Sequence, residues 1–129
     1  MRTAGCMCSN ADTAVLMHLP LVQIVCLEIE AYLKDFAAPF FKDAGQAHKL
    51  DVRVGDALES IEQLSAEGQT FDVVFLDAKK TQYQEYYDMV MDSCMLTPAG
   101  FLVVDNALMK VRRSKLGSCE THAIALLEV

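Results

Sequence analysis

Seven polar residues stand where apolar runs stop. "FDVVFLDAKK" places Asp77 behind Phe71 to Leu76, with Lys79 and Lys80 following. "FLVVDN" places Asp105 and Asn106 behind Phe101 to Val104. Glu28 closes the run that begins at Ile24, and Asp56 follows "DVRVG". Two carboxylates and an amide oxygen are the donors a hard cation such as Mg²⁺ takes, with water or substrate oxygens completing the shell. Asp77, Asp105 and Asn106 supply that set. The competing reading is that strand-end Asp and Asn cap the next helix or turn, and spacing alone does not choose. Lys80 lies near any hydroxyl held by a cation on Asp77 and is suited to take its proton. A solvated lysine at a helix start is the plainer alternative, and more so for Lys79. Glu28 could accept hydrogen bonds from ribose hydroxyls, as acids do at this place in nucleotide-binding sheets; an exposed acid at a strand end is also common. His18, His48 and His122 have no partner pattern.

Strands and helices must alternate to position these groups. Asp12 can cap a short helix to Leu19, closed by Pro20. A strand covers Ile24 to Ile29, ending near Glu28. Tyr32, Leu33, Phe36, Ala37, Phe40, Phe41 and Ala44 then recur at helical spacing up to Gly45, with Pro39 expected to kink that helix. Leu50 to Val54 alternates as a short strand. Ala57, Leu58, Ile61 and Leu64 mark a helix stopped by Gly68. Phe71 to Leu76 is apolar without alternation, as in a strand covered on both faces. Thr81 and Gln84 have capping-box spacing. Behind them Tyr83, Tyr86, Tyr87, Val90, Met91 and Cys94 form a core stripe. "LTPAG" reads as a turn into the strand Phe101 to Val104. The βαβα order predicts a parallel sheet with right-handed crossovers and helices on both faces. Ligands of such sheets bind at the strands' carboxyl ends, so Glu28, Asp56, Asp77, Asp105 and Asn106 should converge on one rim.

Composition agrees with a single small domain. The chain has 129 residues, 53% hydrophobic and 22% charged, which suits a folded core rather than disorder. A formal charge of -7 disfavours nucleic acid and anionic lipid as partners. The basic cluster Lys110, Arg112, Arg113 and Lys115 is either a solvated segment or an anion contact. Five cysteines include no CxxC pair, and Cys26 and Cys94 fall in apolar segments as reduced core thiols. The segment Ala14 to Ile29 carries His18, Pro20, Gln23 and Glu28, which argues against a membrane span. No signal peptide is evident, and a soluble, cytoplasmic protein is expected.

The stretches "VCLEIEAYLKDFAAPFFKDAG…VRVGDALESI", "FDVVFLDAKKTQY" and "LTPAGFLVVDNALMK" together resemble the metal-dependent O-methyltransferases, the group of catechol and caffeoyl-CoA O-methyltransferases. The resemblance covers about Ala14 to Lys110 and implies a Rossmann-like methyltransferase fold. By resemblance, Asp77, Asp105 and Asn106 match the metal ligands, and Lys80 the lysine that takes the hydroxyl proton. Glu28 matches the acid on the ribose of S-adenosylmethionine, and Asp56 and Ala57 the turn flanking its adenine. Gly5 fits the first glycine of the cofactor loop, and Asp77 also borders the cofactor. The implied chemistry is methyl transfer from the sulfonium to a catechol-type or phenolic hydroxyl, assisted by a divalent cation.

The departures shape the expectation. Ser9 stands where the loop's second glycine belongs, and the acid of the first strand falls on Thr3. "DAKK" puts Lys79 where the family has an acid. Met109 replaces a tryptophan near the substrate, and Val111 a glycine. Only Arg2 to Gly5 remain to fill the central first strand, and the tail 111–129 diverges, although "HAIALLEV" suits one strand or a short helix. A chain truncated at both ends is expected, with sheet edges that invite a homodimer. The alternative function is a non-catalytic methyltransferase-like isoform that binds or regulates. A nicotinamide oxidoreductase is disfavoured by the missing GxGxxG.

Overall fold

A computed structural model describes residues 22–105 and the backbone of residues 123–127. Gly5, the helix expected at Asp12 to Leu19, Asn106, Met109 and the basic cluster lie outside the described residues. The order is β1 (Ile24–Glu28), α1 (Ala31–Asp43), a 3-10 turn (Ala47–Lys49), β2 (Leu50–Val54), α2 (Ala57–Ala66), β3 (Phe71–Leu76), a second 3-10 turn (Lys80–Gln82), α3 (Tyr83–Asp92), β4 (Leu96–Asp105) and β5 (Ala123–Leu127). This is a Rossmann-like α/β arrangement, and every described strand pair is parallel. Among the described residues the strands form two sheets, β1-β2 and β3-β4-β5, rather than one. The tail contributes β5, a parallel neighbour of β4.

Strand alternation sends successive side chains to opposite faces, and that sorts the core. Val25 and Leu27 of β1 join Ile61 and Leu64 of α2, Val74 and Leu76 of β3, and Tyr83, Tyr86, Val90 and Met91 of α3 in one buried cluster. Ile24 points the other way and meets Cys26, Leu50, Phe75 and Phe41 of α1. Helices therefore cover both faces, with α1 on one side and α2 and α3 on the other. Because both sets of β1 are enclosed, "IVCL" is apolar throughout, as in a doubly covered strand.

Helix α1 runs as one element with Pro39 inside it. It also buries none of its side chains fully: Phe41 is half-buried, while Tyr32, Phe36 and Phe40 form an exposed ladder with ring centroids 5.7 and 5.4 Å apart. Lys34 ties the helix to β2 through a 2.8 Å bond from Nζ to the Val52 carbonyl. Arg53 joins β2 to the end of α2 by a two-toothed pair with Glu67, 2.8 Å at each nitrogen.

Three further expectations are corrected. Thr81 and Gln84 form no capping box, because a 3-10 turn intervenes and α3 starts at Tyr83 without a side-chain cap; Gln84 instead donates to Asp88 at 2.8 Å. Cys94 is exposed beyond the end of α3, at φ +49°, and is not a core thiol. "LTPAG" belongs to β4, where the pairing jumps from Phe71 beside Leu96 to Val73 beside Phe101. The extra residues loop out as a bulge. Gly100 is required there, since a Cβ would sit 2.9 Å from the Thr97 carbonyl oxygen and 3.1 Å from that of Phe71.

Candidate functional site

The site divides into two halves at the carboxyl ends of the strands. In the first half, Glu28 pairs with Val54, so β1 and β2 end at one level. The Gly55 N–H then donates to the Glu28 carbonyl at 2.9 Å, which folds the turn after β2 over the end of β1. Gly55 holds φ +146° to do so, a region side-chain-bearing residues rarely enter. Asp56 follows as the N-cap of α2. Its Oδ1 accepts from the Leu58 N–H at 2.8 Å and the Glu59 N–H at 3.4 Å. Ala57 opens the helix and rests half-buried against the core.

The cap and the expected role beside a cofactor are compatible. Glu28 is half-buried, and its Oε1 accepts from the Glu30 N–H at 2.9 Å. Among the described residues, Oε2 of Glu28 and Oδ2 of Asp56 accept no hydrogen bond. Each acid is thus oriented by backbone through one oxygen and presents the other. Such paired acceptors suit a ligand rich in hydroxyl and amino donors.

In the second half, Leu76 pairs with Val104. The next residues along the two strands are Asp77 and Asp105, one step further on neighbouring strands about 4.8 Å apart. Both are half-buried. Burial pushes the Tyr83 hydroxyl above its ordinary range, and the charges of Asp77 and Asp105 both add to that shift. Both carboxylates therefore lie within electrostatic reach of this phenol. Their oxygens fit two places in the shell of a hard cation; the third expected ligand, Asn106, lies outside the described residues. No group of three His, Cys, Asp or Glu that could hold a metal occurs among the described residues.

Lys80 opens the 3-10 turn on this rim and is exposed, as is Lys79 before it. Helix α3 links the two halves. Tyr83 in its first turn senses Asp77 and Asp105, while Tyr86, one turn on, is shifted upward by burial and then by Asp56. The sequence marks these tyrosines only as core. What it does not show is that the Tyr83 hydroxyl lies 3.4 Å from the Leu76 carbonyl and accepts from the Ala78 N–H. The available signal is the short interval between a strand ending at Leu76 and a helix opening on a tyrosine.

The chain resembles known proteins over most of its length. A family model described as O-methyltransferase matches residues 11–129. Tricin synthase 1 of Oryza sativa subsp. japonica is 32% identical over 92 residues, 67% of this chain and 36% of the relative. The caffeoyl-CoA O-methyltransferase of Petroselinum crispum is 32% identical over 89 residues, 67% of this chain and 36% of the relative. Among solved structures, the O-methyltransferase TomG of Streptomyces achromogenes, crystallised in complex with SAM, superposes with TM-score 0.70 at 28% identity, covering 84% of this chain and 49% of TomG. The chain therefore spans a third to a half of the length of these relatives.

Proposed function

The chain belongs to the O-methyltransferase family, and from that premise we propose that it binds S-adenosylmethionine and methylates a hydroxyl of a catechol-type or phenolic small molecule with the help of a divalent cation. What supports this reading is the strand register, which puts the backbone-oriented acids Glu28 and Asp56 at and just past the ends of β1 and β2 and Asp77 and Asp105 one residue past the paired Leu76 and Val104. The relatives' names, caffeoyl-CoA O-methyltransferase and tricin synthase, support the acceptor class.

The residue roles follow the family resemblance. Glu28 Oε2 accepts from the ribose hydroxyls of the cofactor. Asp56 and Ala57 flank the adenine, and Gly5 belongs to the loop beside the methionine portion. Asp77, which also borders the cofactor, would hold the cation together with Asp105 and Asn106. A bound cation supplies positive charge that acidifies and orients the acceptor hydroxyl. Lys80 Nζ takes the proton of that hydroxyl, and the surrounding residues align its oxygen with the methyl group. The net charge of -7 favours a small-molecule partner over nucleic acid. No helix of the described residues is long and apolar enough to cross a membrane; a cytoplasmic location is part of the same proposal. Among the described residues the two sheets end in strands with a neighbour on one side only, and a homodimer is part of the same proposal.

A second reading, a methyltransferase-like protein that binds without turnover, is favoured by Lys79, whose exposed positive charge two residues from Asp77 weakens a cation's hold. Thermal melts with S-adenosylmethionine test the cofactor site shared by both readings. A ligand at a hundredfold excess over its dissociation constant stabilises by about 2.7 kcal/mol. The wild-type melting temperature should rise, and Glu28→Ala should lose most of the rise. No shift in the wild type rejects cofactor binding. Asp77→Ala should then abolish cation-dependent turnover in the active protein, and absence of any turnover in a cofactor-binding wild type selects the second reading.

A further inference from the structure

Tyr83 is the residue whose surroundings exceed its role as core. Its ring is 5% exposed, wedged in the main cluster. Its hydroxyl is turned toward the end of β3, 3.4 Å from the Leu76 carbonyl oxygen, and it accepts from the Ala78 N–H. These partners are the residues immediately before and after Asp77. A buried hydroxyl is costly unless it is paired, so a phenylalanine would fill the same space more cheaply if packing were all that mattered. Both partners are backbone groups at the point where β3 ends and the chain turns toward Lys80.

We propose that Tyr83 is a positioning residue that grips the backbone on both sides of Asp77 and so fixes the direction of the Asp77 carboxylate toward Asp105. The inference rests on the cation reading given above. The anchor itself is buried. Tyr83 begins α3, which is held down by buried Tyr86, Val90 and Met91. The Tyr86 hydroxyl donates to Gln82 Oε1 at 3.1 Å, a contact that involves neither Leu76 nor Ala78. Through this arrangement the core sets the geometry of the rim: α3 cannot shift without moving the ends of the segment that holds Asp77. Groups that orient a metal ligand from behind typically change metal affinity by about 10–100-fold when removed.

The test is Tyr83→Phe in the full chain, with two readouts and Tyr86→Phe as control. The first is amide hydrogen exchange at Ala78 by NMR, which needs no metal. Loss of the acceptor should speed exchange by about tenfold, the equivalent of one hydrogen bond, and an unchanged rate overturns the grip. The second is Mn²⁺ affinity by titration calorimetry. Tyr83→Phe should bind Mn²⁺ about tenfold more weakly than the wild type, with Tyr86→Phe unchanged. Equal affinity in Tyr83→Phe and wild type, with faster Ala78 exchange, overturns the positioning role while leaving the contact in place. A wild type that binds no Mn²⁺ refutes the cation reading and with it the role toward the ligand set; the exchange result then still decides whether the backbone grip exists.

Discussion

Asp56 offers a perturbation whose stability and ligand effects separate. Its Oδ1 caps α2 through the Leu58 and Glu59 amides, and Oδ2 is left to the rim. Asp56→Ala removes both cap bonds, a loss of about 1 kcal/mol, and the favourable charge at the helix N-terminus, roughly another 0.3–1 kcal/mol. Asp56→Asn keeps a capping oxygen and loses only the charge. With about 2.1 cal/mol/K of unfolding entropy per residue, 1 kcal/mol moves the melting temperature of a domain this size by about 4 °C. The alanine variant should therefore melt several degrees below wild type, and the asparagine variant should lie between. Urea unfolding with a shared slope checks the free energies. For S-adenosylmethionine the order changes: both variants lose the negative oxygen at the rim, so calorimetry should show both binding more weakly, and to a similar degree. An asparagine variant that binds as wild type does would refute the ligand role of Oδ2. An alanine variant as stable as wild type would refute the cap.

Lys80→Ala should cut turnover by about 10²–10⁴-fold if Nζ takes the acceptor's proton, with little change in cofactor affinity; full turnover in steady-state assays removes that role. Gly100→Ala should lower the urea midpoint, because its Cβ meets backbone atoms of Thr97 and Phe71 that cannot rotate away, at a cost of about 1–3 kcal/mol. Tyr83 and Tyr86 are both held above the ordinary phenol value of 10.0, each chiefly by burial. Their contribution is complete below pH 10 and is lost as the pH rises beyond it, because the unfolded chain ionises first. The urea midpoint should fall between pH 9 and pH 11, and the fall should shrink in the Tyr83→Phe, Tyr86→Phe double variant.

Much of this architecture is written in local patterns. Phe71–Leu76 is an unbroken apolar run, and the strand occupies it end to end. Gly68 stops α2 at φ +69°, as expected of a residue just past a helix end. Glu28, Asp56, Asp77 and Asp105 fall at or just past strand ends because the parallel order puts them there. The misses are places where tertiary geometry overrides the pattern. Thr81 and Gln84 have capping spacing, but the backbone tightens to a 3-10 turn and starts the helix on Tyr83 instead. Cys94 keeps the periodicity of α3 after the helix has ended, so its position no longer faces the core. "LTPAG" has turn composition yet pairs at Leu96, a register no local signal encodes. The Tyr83 hydroxyl was illegible for the same reason: its partners belong to another element.

Methyl transfer to a phenolic oxygen can be followed as labelled methyl passing from S-adenosylmethionine into a panel of catechols and phenolic acids, with Mg²⁺ or with a chelator. Label is expected on a hydroxyl oxygen of at least one catechol, present with Mg²⁺, removed by the chelator and absent in Asp77→Ala. Label that persists undiminished in the chelator and in Asp77→Ala would contradict the cation site, and no label on any acceptor from a chain that binds S-adenosylmethionine would contradict the enzymatic account.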